Sequence, residues 1–322
     1  MRAIRRCLVG LALSALLVSS AAGRDIFVDN LAGDDTFTGH HPGTMPDRSG
    51  PTRSIAKALW MAQQGDRIVL RNNGQPYRES LSLVGSRHSG YSFSRLTILG
   101  NGAILDGSAI VQPEEWENYR GPVFRFRPPH LAYQQLFIND RPVPRLIPAP
   151  LADQPPKLEP LQWCLHGGYI YFCVEPLKLP ENYRLTYAAQ RVGITLFHVE
   201  RVCISDLTVQ GFQLDGINLY NSAQDVMLER VTCRGNGRCG LTVGGASLAH
   251  VGSSLFGNNG IEQVLVMPWS ELHLRQTELL SNTGPGLVNQ GRRVYLDGKP
   301  VAGGIDESPK DSPKEPPQAA GK

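Results

Sequence analysis

One apolar pattern returns every 23 or 24 residues from Val192 to Val288, and it constrains this chain more than any other feature. Ile194, Ile217, Leu241, Val264 and Leu287 are spaced by 23, 24, 23 and 23. Leu196, Leu219, Val243 and Val266 keep the same rhythm two residues later. A second strand per repeat supplies Val202, Val226, Ala249 and Leu272, then Ile204, Leu228, Val251 and Leu274. A third column holds Val209, Cys233, Phe256 and Leu279. Apolar residues at i and i+2 mark a strand with one buried face. Such repeats bury that face only by stacking on one another, as coils about 4.8 Å apart. The expected fold is an all-β solenoid. A leucine-rich repeat would need its Leu-x-x-Leu-x-Leu signature and a helical segment, and both are missing here.

The remaining sequence sets the boundaries. Arg2, Arg5 and Arg6, the apolar run Leu8 to Val18 and the small residues Ser20 to Gly23 follow the order of a secretory signal, assigned to 1–23. The run is too short and too rich in Ala and Ser for a membrane span, so a secreted or periplasmic location is expected. Without those three arginines, the 32 basic and 29 acidic residues come into balance, which disfavours nucleic acid as a partner. Residues 24–65 contain a short strand, a polar loop and a segment with Ile55, Leu59 and Ala62 on one helical face. Thr52 or Ser54 is its N-cap and Gly65 lies just past its end. An amphipathic helix there would cover the open apolar end of the solenoid. The first rungs are expected over 66–112, a Pro- and aromatic-rich hairpin insertion over 113–190, repeating coils over 191–302 and a disordered tail over 303–322.

Two stretches carry a resemblance: IFVDNLAGDD with GPTRSIAKALWMAQQGDRIVL and PYRESLSL, and coils such as GITLFHVERVCISDLTVQGFQLDGINL. They resemble the right-handed parallel β-helix superfamily, the pectate-lyase-like fold. LFINDRPVPR is similar to an Asn-Gly-Lys plus Arg element of its secreted polysaccharide-acting members, with Asp140 in place of the Gly. The resemblance implies a right-handed parallel β-helix with a short N-terminal capping helix, a polysaccharide partner, lyase or hydrolase activity, and Ca2+ as a candidate cofactor. The scaffold also hosts proteins without activity, so a non-catalytic carbohydrate-binding or surface protein is the alternative.

Coil alignment names candidate site residues. Val192, Asp215, Cys239 and Glu262 share an outward column. Asp215 and Glu262 are two coils apart, roughly 9 to 10 Å, near the carboxylate separation of an inverting glycosidase. The competing reading of Asp215 is a polar turn residue before Gly216. No Lys lies between Arg191 and Gln290, so Arg238 and Arg234, close to that column, are the candidate cations for a lyase. Asp206 and Arg230, 24 apart, are expected to pair across adjacent coils. His250 and His273 share another outward column beside Met227 and Cys203, able to bind metal or move protons but read as structural for want of a convergent carboxylate. Asn236, Asn259 and Asn282 are expected to form an asparagine ladder. Cys164 and Cys173 could close a disulfide across a hairpin, and Cys233 points into the core. Trp163, Tyr169, Tyr171 and Phe172 are a possible sugar-stacking platform. An exposed last coil would invite self-association.

Overall fold

The computed structural model describes residues 23–305 except 131, 144, 150 and 292; the expected signal segment and most of the expected tail lie outside the described residues. The described residues are all-β apart from one short α-helix and two 3-10 turns. Two parallel sheets dominate. The first has twelve strands and runs from Asp25–Val28 through Arg67–Leu70, Leu96–Asp106 and Val202–Gln210 to Arg293–Leu296. The second has six, from Leu81–Val84 and Ile194–Phe197 to Leu287–Asn289. The apolar columns are the sheet registers: Ile194 pairs with Ile217, Ile217 with Leu241, Leu241 with Val264 and Val264 with Leu287. Val209, Cys233, Phe256 and Leu279 stand side by side in the same way. Side chains from both sheets fill one continuous core. Cys233 lies fully inside it, and burial pushes its thiol pKa up.

From Leu96–Asp106 onward, each pass through the first sheet bends at one left-handed residue: Asn101, Asp206, Arg230, Ser253, Gln276 and Asp297 have φ between 48° and 53°. Short polar side chains tolerate this conformation best. Asp206 and Arg230 sit on that bend and form the expected inter-coil ion pair, 2.6 Å from Arg230 Nε to Asp206 Oδ1. At the N-terminal end, the helix Ile55–Met61 is capped by Ser54, whose side chain accepts from the Lys57 amide. Glu79 accepts the amides of Ile55 and Ala56. Ile55, Ala58 and Leu59 join the core. At the other end, Lys299–Pro300 pairs antiparallel with Arg293–Leu296, and Ile305 bridges to Leu287.

Leu81 pairs with Ile194, although 113 residues separate them in sequence. In between, the chain builds two four-stranded sheets with antiparallel pairings, drawn from strands between Ser108 and Ala188. One face of the sheet made by Glu117–Arg120, Val123–Phe126, Trp163–His166 and Tyr169–Cys173 buries Phe126, Trp163, Ile170 and Phe172 in a second core. Its other face carries Tyr119, Tyr169, Tyr171, Cys164 and Cys173. The four aromatics expected to act together are therefore split between two faces. The expected disulfide is also corrected: both cysteines are free, with Cys164 opposite Tyr171 and Cys173 opposite Val123.

The asparagine ladder is real for two of its three members. Asn236 Nδ2 donates to Asn259 Oδ1 at 3.0 Å, and both residues are fully buried. Asn282 departs from the column and donates to half-buried Asn258 at 2.9 Å instead. Gln263 takes the next place, accepting from Asn259 at 2.9 Å. The left-handed residues are the preceding Gly235 and Asn258, rather than the ladder amides themselves.

Candidate functional site

The coil turns beside the antiparallel sheets hold the four residues singled out from the sequence. Asp215 is fully buried. Its oxygens accept from Arg238 Nε at 2.8 Å, Arg238 Nη2 at 2.5 Å and Asn218 Nδ2 at 2.6 Å. This bidentate bond raises the Arg238 pKa further above its ordinary value. Cys239 stands between Asp215 and Glu262 and donates its thiol to Glu262 Oε2 at 3.1 Å. Burial first, then the two carboxylates, push that thiol pKa up. Arg234 donates to Gln210 at 2.9 Å, which donates to buried Asp106 at 3.1 Å. Asp215, Arg238 and Glu262 do share one neighbourhood, while Arg234 belongs to a separate polar row. The turns are closely covered: a Cβ on Gly237 would lie 2.7 Å from the Tyr133 carbonyl oxygen, and one on Gly235 2.7 Å from the Phe137 ring. Asp215 thus has no oxygen free for a substrate.

A different arrangement opens on the outward face of the first sheet. Met227, His250, His273 and Tyr295 pair in register along successive strands. The His250 and His273 rings stack at 4.9 Å, and those of His273 and Tyr295 at 4.6 Å. The neighbouring column is Ser205, Glu229, Gly252 and Arg275. Gly252 lacks the side chain that would fill this row, and a Cβ there would meet Glu229 Oε2 at 2.2 Å. The result is a groove of about 320 Å³ lined by Met227, Glu229, His250, His273, Arg275 and Tyr295, among others.

The electrostatics of this groove suit proton transfer. The His250 pKa is lowered, first by burial and then by His273; Arg95 also lowers it, while Asp225 and Glu271 oppose the shift. Its imidazole is therefore neutral near pH 7 and available as an acceptor. His273 Nε2 lies 2.7 Å from Glu271 Oε1, and Arg293 holds the other oxygen of Glu271. The carboxylate found wanting in the sequence is thus two residues away on the same strand. The spacing of His250, His273 and Tyr295 by 23 and 22 was the available signal for this column. Among the described residues, no three His, Cys, Asp or Glu side chains converge as metal ligands, so Ca2+ has no candidate carboxylate cage there. No helix among the described residues is long and apolar enough to cross a membrane.

The chain shares its fold with a glycoside hydrolase. The solved structure so described has a TM-score of 0.56 at 11% identity, covering 79% of this chain and 73% of the other. Two others align at TM-scores of 0.39, too low to bear on the fold. The complex of XylC with xylose has 13% identity and covers 84% of this chain and 68% of that one. The GH136 lacto-N-biosidase from Eubacterium ramulus has 9%, covering 85% and 56%. No family model and no curated protein matches the sequence. At such identities the likeness is one of fold, and the chemistry has to be argued from side chains.

Proposed function

We propose that this chain is a secreted right-handed parallel β-helix protein that acts on polysaccharide in the groove along its first sheet, with the segment 113–190 as an insertion between coils. The observation that carries this reading is the recess over Gly252, where the Glu229 carboxylate, the neutral His250 imidazole and the Arg275 guanidinium line one open groove. A groove running across stacked strands suits a linear polymer, and the row of imidazole and phenol edges offers hydrogen bonds to its hydroxyls. The fold shared with a glycoside hydrolase supports glycosidic bond cleavage as the chemistry. In this reading Glu229 and His250 are the acid–base pair that moves protons in the cleavage, and Arg275 is a binding group. The Asp215–Arg238 pair holds the turns, and Glu262 with its thiol partner completes that packing.

A panel of neutral and uronate polysaccharides tests the proposal. New reducing ends from at least one polymer, lost in Glu229→Gln, are expected; unsaturated products would instead identify a lyase. Absence of either product from the whole panel would remove the catalytic reading. Non-catalytic glycan binding is the second reading, favoured by the fact that Glu229 is the one carboxylate lining the groove among the described residues. Binding without turnover would select it.

A further inference from the structure

We infer that the outer face of the antiparallel sheet Glu117–Arg120, Val123–Phe126, Trp163–His166 and Tyr169–Cys173 is a second binding surface, separate from the groove, for an acidic polysaccharide bearing carboxylate or sulfate groups. Alternation in Val123–Phe126 sends Phe124 and Phe126 toward the second core and turns Arg125 to the opposite face. There Arg125 lies over the Tyr169 ring at 4.5 Å and near the Tyr119 ring at 5.7 Å, while Arg127 approaches Tyr169 at 5.8 Å. Tyr171 supports the cluster from below, edge-on to Tyr119 at 5.0 Å and buried. Leu158 is buried in this cluster with Cys164, Tyr171 and Cys173, and Leu146 packs against it, while Arg127 stays exposed.

Two features point to an anion. First, Arg125 is held before any ligand arrives by the Tyr169 ring and by Glu117, which cuts the ordering cost of binding, and Arg127 beside it keeps an exposed guanidinium. Second, the charge is incompletely offset. Arg125 bonds Glu117 through Nε at 3.0 Å, but Arg127 is exposed and has no ion-pair partner among the described residues. A carboxylate or sulfate on a sugar accepts from guanidinium N–H forks in bidentate fashion, and a repeating acidic polymer can engage Arg125 and Arg127 together. Nothing in this cluster contributes to the groove chemistry.

Affinity electrophoresis of the full chain in gels containing polygalacturonate, dextran sulfate or neutral dextran tests the inference. Retardation by at least one acidic polymer and none by dextran is expected. Arg125→Gln/Arg127→Gln should weaken binding about tenfold, the loss typical of a charge-assisted pair, and flatten its salt dependence. Arg127→Gln, on an exposed side chain, should give part of the same loss with an unchanged unfolding curve. Glu117→Gln removes the competing carboxylate and should strengthen retardation. Equal retardation by dextran, no retardation by either acidic polymer, or an arginine double variant that binds like the parent would overturn the assignment. Competition by duplex DNA as effective as that by the acidic polysaccharide would also overturn it, marking a generic polyanion surface.

Discussion

Two outward columns of this protein are built alike and end in opposite states. Asp215, Cys239 and Glu262 follow one another at coil spacing, as do Glu229, Gly252 and Arg275. Each places a charged group on either side of a small residue. In the first, the turns pack under the antiparallel sheets and Arg238 closes over a carboxylate that is 0% exposed. In the second, the Glu229 carboxylate itself lies over the central glycine, and the Glu229 side chain stays 25% exposed beside a groove. Coil spacing alone therefore does not make a site. What covers the column decides whether a carboxylate is closed off or left within reach of a ligand.

The largest effect that would sharpen this contrast is on stability. Asp215→Ala leaves Arg238 without its anion and should cost about 3 kcal/mol in urea unfolding. A loss under about 1 kcal/mol would show that the pair behaves as a surface contact and would break the comparison. Next, Glu229→Gln should lower polysaccharide turnover roughly 100-fold while leaving the urea midpoint near that of the parent. Equal losses of stability in the two variants would mean that both columns are structural.

The pH dependence of turnover follows from His250. Its folded pKa is below the ordinary 6.5, so the unfolded chain binds the extra proton first as pH falls. Its contribution to stability is thus unfavourable below about 6.5 and vanishes above it. Turnover should fall as the pH drops and His250 takes up a proton, and His250→Asn should lower turnover at every pH and leave the residual rate without that fall. The smallest effect is expected for Asp206→Asn, which keeps a side chain suited to the left-handed bend and removes only a solvent-exposed ion pair with Arg230; its urea midpoint should match that of the parent.

Much of the parallel strand register was legible because burying one strand face imposes period 2 within a strand and a constant spacing between successive strands. Every inner column named from the sequence is a register in the sheets. The ladder was only partly legible: Asn282 keeps the 23-residue spacing yet bonds Asn258, because a hydrogen bond depends on local backbone direction as well as count. The hairpin aromatics were visible as a cluster, but strand phase sends Trp163 and Phe172 inward and Tyr169 and Tyr171 to the opposite face. Glu271 was hidden for a related reason. It sits two residues before His273, on the same sheet face, where its carboxylate reaches the imidazole only because the side chain folds back along the strand.

By itself, then, the sequence determined the all-β class, the coil length and which residues line the core, since these depend on burial patterns repeated along the chain. Only the tertiary structure decided that Asp215 is closed by Arg238, that Gly252 opens a recess beside Glu229, and that Arg125 and Arg127 share one tyrosine. Those outcomes depend on what packs over a column and on which side chain is missing from it, and both are set by segments far apart in the sequence.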